Sequence, residues 1–221
     1  MNINTSKEIN IIDIKNKKRN IKFKFKKFTK KKFNKMKDYG YEYFDDKNYP
    51  GYSGFKYNGA YKEAAAKLVN FFKLKNRSKV LDVGCAKGFL LHDIKSINKQ
   101  IVVRGIDVSK YAIDNSLKSV KRFLKVSNST KLPFKNKEFD LTISIDVLQN
   151  LDAQSLKKTI KEIKRVSKES FLVIESYDSK KEKKNLLKWE ILIKTCKSKS
   201  QWRSLLKKLK YNGYFYFKKI S

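Results

Sequence analysis

The first place where chemistry can be read from this sequence is a pair of aspartates spaced around a pair of glycines. The run Val80-Leu81-Asp82-Val83-Gly84-Cys85-Ala86-Lys87-Gly88-Phe89-Leu90-Leu91 reads as a short apolar strand, a glycine loop and the opening of a helix. Gly84 and Gly88 let the backbone approach a ligand closely, because no Cβ stands in the way. The loop has neither the G-x-G-x-x-G spacing of a pyrophosphate site nor the Gly-Lys-Ser/Thr of a P-loop. About twenty residues further on, Arg104-Gly105-Ile106-Asp107-Val108-Ser109 brings a second apolar run to an end on an acid. A carboxylate at such a strand tip can accept both hydroxyls of a ribose. Glycine loop and acidic strand end together predict a site for a ligand that carries a nucleoside.

These residues must be positioned by strands and helices that alternate. Ala64, Ala65, Leu68, Val69 and Phe72 recur at helical spacing, and Lys79 to Val83 then reads as a buried strand. The pattern continues as a helix over 88–97, a strand over 101–106, a helix over 109–118 and a strand over 122–126. Beyond these come a strand over 139–145, a helix over 153–166 and a strand over 171–175. A lysine-rich linker, a segment over 186–196, a helix over 200–210 and a last strand over 214–218 complete the chain. Strands that alternate with helices predict an α/β fold with a mostly parallel central sheet covered on both faces.

The chain has 221 residues, 40% of them hydrophobic, which is enough for one sizeable core and excludes a disordered tail protein. Its formal charge is +33, yet 48 of the 54 basic residues are lysine and 6 are arginine. Arginine is the fork that reads phosphates and base edges, whereas lysine is a point charge. Lys, Asn, Ile, Phe and Tyr, all abundant here, share A/T-rich codons, so codon bias accounts for the lysine before a nucleic acid has to. Cys85, Cys196 and the single histidine, His92, form no zinc-type cluster, so no metal is expected. No signal-type or membrane-spanning apolar run is visible, and the expected location is cytoplasmic.

Three regions are expected. Residues 1–37 read as a basic, mobile arm, with Met36 as an alternative start. Residues 38–60, rich in Tyr and Gly, read as a lid segment, and residues 61–221 as the main domain.

With these motifs in order, the chain from Lys79 to Ile174 resembles the class I S-adenosylmethionine (SAM)-dependent methyltransferases, most closely their small type 11 branch. Val80 to Gly88 is similar to the family's first motif, with Asp82 at its acidic position and Ala86 where the family has its middle glycine. Asp107 matches the ribose-binding acid, followed by Val108. Ser127-Asn128-Ser129-Thr130-Lys131-Leu132-Pro133-Phe134 resembles Gly-Asp-Ala-x-x-Leu-Pro-Phe, with Asn128 in place of the acid that contacts the adenine amine. Phe139 to Leu151 resembles the fourth motif, whose strand end, Ser144-Ile145-Asp146, faces the methionine part and the acceptor; Asn150 stands at the family's usual histidine. The resemblance implies a Rossmann-like class I methyltransferase fold, with one antiparallel strand at the C-terminus. It implies SAM as cofactor, held by Asp82, Gly84, Cys85, Ala86, Lys87, Gly88, Asp107, Val108, Asn128, Ser129, Ser144 and Ile145.

Methyl transfer from a sulfonium needs alignment and desolvation more than it needs a base, because the leaving thioether is neutral. If a base acts, Asp146 is the first candidate by motif position, followed by His92 and Glu175. Tyr52, Tyr57, Trp189 and Glu190 are candidates for a lid over the acceptor. A small-molecule acceptor is expected, a sugar or surface-polysaccharide precursor methylated at O or N. Two alternatives compete with it: an RNA or protein methyltransferase that uses the basic arm, and a non-catalytic SAM-binding protein, the latter motivated by Ala86, Asn128 and Asn150. The fourth motif lacks an Asn/Asp-Pro-Pro-aromatic loop for a flipped base.

Overall fold

The computed structural model describes residues 7–12, 29–49, 51–52 and 54–219. Most of the basic arm, with Pro50 and Ser53 of the lid segment, lies outside the described residues. Among the described residues, seven strands form one sheet: β1 (Lys7–Glu8), β2 (Lys79–Val83), β3 (Val102–Asp107), β4 (Leu124–Val126), β5 (Phe139–Ile145), β6 (Ser167–Ser176) and β7 (Tyr214–Lys219). Their order across the sheet is β1-β7-β6-β5-β2-β3-β4. The helices are α1 (Lys30–Met36), α2 (Tyr41–Phe44), α3 (Lys62–Phe71), α4 (Phe89–Ile97), α5 (Lys110–Asp114), α6 (Ala153–Val166), α7 (Lys180–Trp189) and α8 (Lys199–Lys208).

Consecutive residues of the central strands serve opposite faces, which is why these strands read as unbroken apolar runs. Val80, Phe171 and Val173 pack on one side with Leu68 of α3 and Leu91 and Ile94 of α4. Leu81, Leu172 and Ile174 pack on the other with Ile160 and Ile163 of α6 and Trp202 of α8. Asp152 begins α6 by accepting from Gln154 N and Ser155 N, and Ser198 begins α8 with a reciprocal capping box to Gln201. Trp202 is fully buried, so it anchors α8 to the sheet.

One expectation is corrected. The last strand is parallel, not antiparallel: Phe171 to Ser176 pair in parallel register with Tyr214 to Lys219. Two helices, α7 and α8, intervene between β6 and β7, so the chain crosses over and returns in the same direction instead of turning back in a hairpin. The far edge of β7 is taken by β1, which is also parallel. Of the arm, Lys7 and Glu8 therefore belong to the sheet, and Ile12 is buried in the core.

The sheet order reverses between β2 and β5, which leave side by side and continue in opposite directions across the sheet. The crevice beyond their carboxyl ends is where an open α/β sheet holds its ligand.

Candidate functional site

A cavity of about 270 Å³ opens at that crevice. Its floor is formed by Gly84 and Ala86 after β2, by Asp107 and Val108 after β3, and by Ile145 and Asp146 after β5. A smaller cavity of about 40 Å³ adjoins it, with Asp82, Cys85, Tyr61 and Phe89 in its wall. Gly84, Ala86, Tyr52, Ile145 and Asp146 border both.

Gly84 has a φ of +84°, and a Cβ built on it would stand 2.1 Å from Val147 Cγ2, so no other residue fits where the β2 and β5 loops meet. Ala86, where the family has glycine, also takes a left-handed φ of +46°. Its strain is countered by a hydrogen bond, since its N–H donates to Asp107 Oδ2 at 2.8 Å. Asp107 Oδ1 accepts from Ser109 N at 2.8 Å. Burial raises the Asp107 pKa, and these backbone donors pull against the rise. Asp107 thus fastens the first loop to the second and still lines the large cavity.

Asp82 is 5% exposed, and its pKa is pushed up to about 7 by burial and then by the neighbouring Asp107. Asn128 and Ser129 line the large cavity, but their side chains are engaged locally. Asn128 Oδ1 accepts from Thr130 N at 2.9 Å, and Ser129 Oγ bonds Thr159 Oγ1 at 2.9 Å. Ser144 borders neither cavity; its hydroxyl donates to Val83 O at 3.0 Å and clamps β5 to β2. Gly88 starts α4 at φ +75°, pressed against Val120 and Leu124. The Lys87 side chain turns away from the cavities and donates to Asp45 Oδ2 at 2.6 Å.

Of the three base candidates, one borders the cavities. Asp146, at φ +56°, borders both cavities, and Lys218 donates to its Oδ2. His92 is outside both walls, because its position on α4 faces Ser119 Oγ, 2.8 Å from Nδ1, and the ring of Tyr57. Glu175 is buried and lines neither cavity; it accepts from Trp189 Nε1 at 2.8 Å and Gln149 Nε2 at 3.2 Å and sits 3.5 Å from Lys218 Nζ.

Among the lid candidates, Tyr52 lines both cavities, but Tyr57 donates to Asp93 Oδ1 at 2.5 Å and is outside the walls. Trp189 is spent on Glu175, and Glu190 is 6% exposed, accepting from Leu192 N at 3.1 Å. Sequence reasoning did not single out Tyr39, Tyr43, Phe44 and Lys194, which also line the large cavity. The clustering of tyrosines over 39–61 was the signal for the first three; nothing in the sequence marked Lys194 among so many lysines.

Glu175 predicts a pH effect on stability. Burial first, and Asp146 second, push its pKa from 4.5 to about 8 against the pull of Lys218, so folding favours its protonated form. That contribution is complete below pH 4.5 and is lost as pH rises through 8. Glu175→Gln should flatten the decline in unfolding free energy across this range, measured by urea denaturation at pH 5, 7 and 9; an unchanged slope would refute the assignment.

No group of three or more His, Cys, Asp or Glu residues able to hold a metal occurs among the described residues. No helix of the described residues is long and apolar enough to cross a membrane.

A parallel sheet with its switch point between the first and fourth strands of the βα series, a glycine loop after one and an acid after its neighbour, defines the class I methyltransferase architecture. Residues 74–218 match the family described as a methyltransferase domain, and the chain belongs to that family. It is 33% identical over 120 residues to an uncharacterized protein of Methanocaldococcus jannaschii, covering 52% of this chain and 45% of that one. It is 36% identical over 108 residues to the ribosomal protein L11 methyltransferase of Dictyoglomus thermophilum, covering 47% and 33%. The chain thus spans less than half the length of these curated relatives. Among solved structures, YcgJ of Bacillus subtilis superposes with a TM-score of 0.54 at 17% identity, over 66% of this chain and 67% of that one. A chain from the complex of the Haloferax volcanii Trm112 methyltransferase activator with a methyltransferase superposes with a TM-score of 0.55 at 18% identity, over 81% and 72%. These two likenesses are of fold.

Proposed function

We propose that this protein is a SAM-dependent methyltransferase acting at an O or N of a small molecule, with a sugar or surface-polysaccharide precursor as the expected acceptor and the cytoplasm as its location. The observation that carries the reading is Asp107: it stands at the second strand tip, bonded to the glycine loop, in the wall of a cavity at the switch point. The residues present fit the cofactor by their donor chemistry. Asp107 would take the ribose hydroxyls, Val108, Asn128 and Ser129 the base, and the Gly84 loop the chain that joins nucleoside to methionine. When bound, SAM supplies an electrophilic methyl on a sulfonium.

Around it, the chain's own residues exclude water and orient the acceptor. Tyr39, Tyr43, Phe44 and Tyr52 wall the large cavity with aromatic surface. Asp146, between the two cavities, would accept a proton from an acceptor hydroxyl or amine, with Lys218 donating to its carboxylate. Residues 61–221 act in this reading as the catalytic domain and 38–60 as its lid.

Asp82 supplies a test of the cofactor's placement. A cation bound in the small cavity stabilises the ionised carboxylate, so an ammonium arriving there should release a proton near pH 7. SAM binding measured calorimetrically in buffers of different ionisation enthalpy should show that proton, and Asp82→Asn should lose it.

The +33 charge, and a relative that carries the name of a ribosomal-protein methyltransferase, favour a second reading with a macromolecular acceptor. Incubation of host extract with methyl-labelled SAM separates the two. Label in the small-molecule fraction supports the first, label in RNA or protein the second, and no label at all the non-catalytic alternative.

A further inference from the structure

The described residues from Tyr39 to Tyr57 run across the loops that follow β2 and β3, held there by the packing of Phe44 on Tyr111 and of Phe55 on Phe89 and by polar ties. Ser109 Oγ, two residues beyond Asp107, donates to Tyr39 O. Tyr57 Oη donates to Asp93 Oδ1 on α4. Between these, Asp45 accepts from Lys87 Nζ at 2.6 Å, from Tyr111 Oη at 2.6 Å and from Phe55 N at 2.9 Å. Lys87 lies inside the glycine loop after β2, and Tyr111 lies on α5, directly after the Asp107 loop. One carboxylate therefore joins the cover to both loops proposed to hold the cofactor. The Asp45 side chain is 19% exposed and that of Lys87 is 7%, so water competes weakly for the contact. Its three donors and the Lys87 cation outweigh burial and keep the Asp45 pKa below the usual carboxylate range.

The underside of the cover is the cavity wall. Tyr39, Tyr43, Phe44 and Tyr52 line it, and Phe44 stacks on Tyr52 at 5.6 Å between ring centroids. The described residues of the cover include one short helix, the four residues of α2, and the chain rejoins the domain past Gly54 and Gly59, both at positive φ. A Cβ built on Gly54 meets nothing within 4 Å, and the N–H groups of Gly54 and Phe55 both donate to Phe44 O. The other two ties are neutral donors to a backbone carbonyl and to a carboxylate on a different element; the Asp45 tie is the one that pairs opposite charges.

We propose that Asp45 is a positioning residue that acts as the catch of a cofactor cover: paired with Lys87 and Tyr111 it holds the Tyr39–Tyr57 segment closed, and cofactor exchange requires that catch to open. This rests on the reading of the cavity as a SAM site. The rate of exchange is then set by the opening of the cover and not by the contacts of the cofactor alone.

The test is the kinetics of S-adenosylhomocysteine (SAH) and SAM binding to the full chain, by surface plasmon resonance, for wild type, Asp45→Asn, Lys87→Met and Tyr57→Phe. Loss of a charge-assisted hydrogen bond at the catch should raise the dissociation rate about tenfold. The association rate should rise as well, because ligand enters through a cover that is open more often. Tyr57→Phe loosens a tie away from the catch and should change either rate less than Asp45→Asn does. Unchanged rates in Asp45→Asn, or a slower association with faster dissociation, would overturn the proposal, the latter because it is what damage to the site produces. Circular dichroism and thermal melts show that each variant is folded before its rates are compared. Failure of wild type to bind either ligand would instead refute the SAM site itself, so the two failures are distinguishable.

Discussion

Asp107→Ala is expected to raise the Kd for SAM by about a hundredfold or more, the loss of two hydrogen bonds to a charged acceptor. The effect is large because the residue has two tasks. As a ribose acceptor it would make its bonds inside a cavity where water cannot fully replace them. As a structural acceptor it satisfies Ala86 N and Ser109 N, and the first of these holds a non-glycine residue at a positive φ. Removing the carboxylate both deletes the ribose contact and frees the strained loop. Asp107→Asn retains one acceptor oxygen and should fall between wild type and alanine. Calorimetric titration with SAM reads the result, and equal heats for wild type and Asp107→Ala would refute the cofactor assignment.

Lys218→Met is expected to destabilise the fold by about 3–5 kcal/mol, the usual consequence of removing one partner from a buried ionic cluster. Lys218 sits on β7 opposite Glu175, with its ammonium between the Glu175 and Asp146 carboxylates. Burial alone would lower its pKa, but the two acids outweigh burial and raise it, so the lysine stays charged. Without it, Glu175 and Asp146 face each other in the interior with no cation between them, and the protonated form of Glu175 is favoured to still higher pH. The loss should be greater at pH 8 than at pH 6, because protonation relieves the repulsion. Adding Glu175→Gln to Lys218→Met removes one of the facing charges and should restore part of the stability. Urea unfolding of the two variants at both pH values checks this; a loss independent of pH, with no recovery in the double variant, would show that Lys218 serves packing alone.

Much of the fold was legible because apolar runs and helical periodicity are local signals. β2 and β5 fall on the residues expected, Lys79–Val83 and Phe139–Ile145, and α6 falls on Ala153–Val166. The glycine loop and Asp107 were legible for the same reason: a turn and a strand end are properties of neighbouring residues. Less legible was β6, which begins at Ser167, because its first residues, Ser-Lys-Glu-Ser, are polar and are paired as strand by Phe139 and its neighbours on β5.

Local sequence signals sufficed for an α/β methyltransferase-type chain with its acid and glycine positions at two adjacent strand tips. Tertiary structure alone decided the direction of the last strand, which follows from the crossover through α7 and α8 and which brings Lys218 beside Glu175 and Asp146. It also decided that Lys87 reaches Asp45, 42 residues away, and that His92 faces Ser119. Periodicity states which face of an element is apolar, but a charged side chain's partner depends on which elements lie next to it. In a chain with 48 lysines, composition cannot say which of them meets a carboxylate in the interior. Lys87 and Lys218 are buried because the fold carries an acid to each, and that pairing is set by topology across the sheet, not by neighbours along the chain.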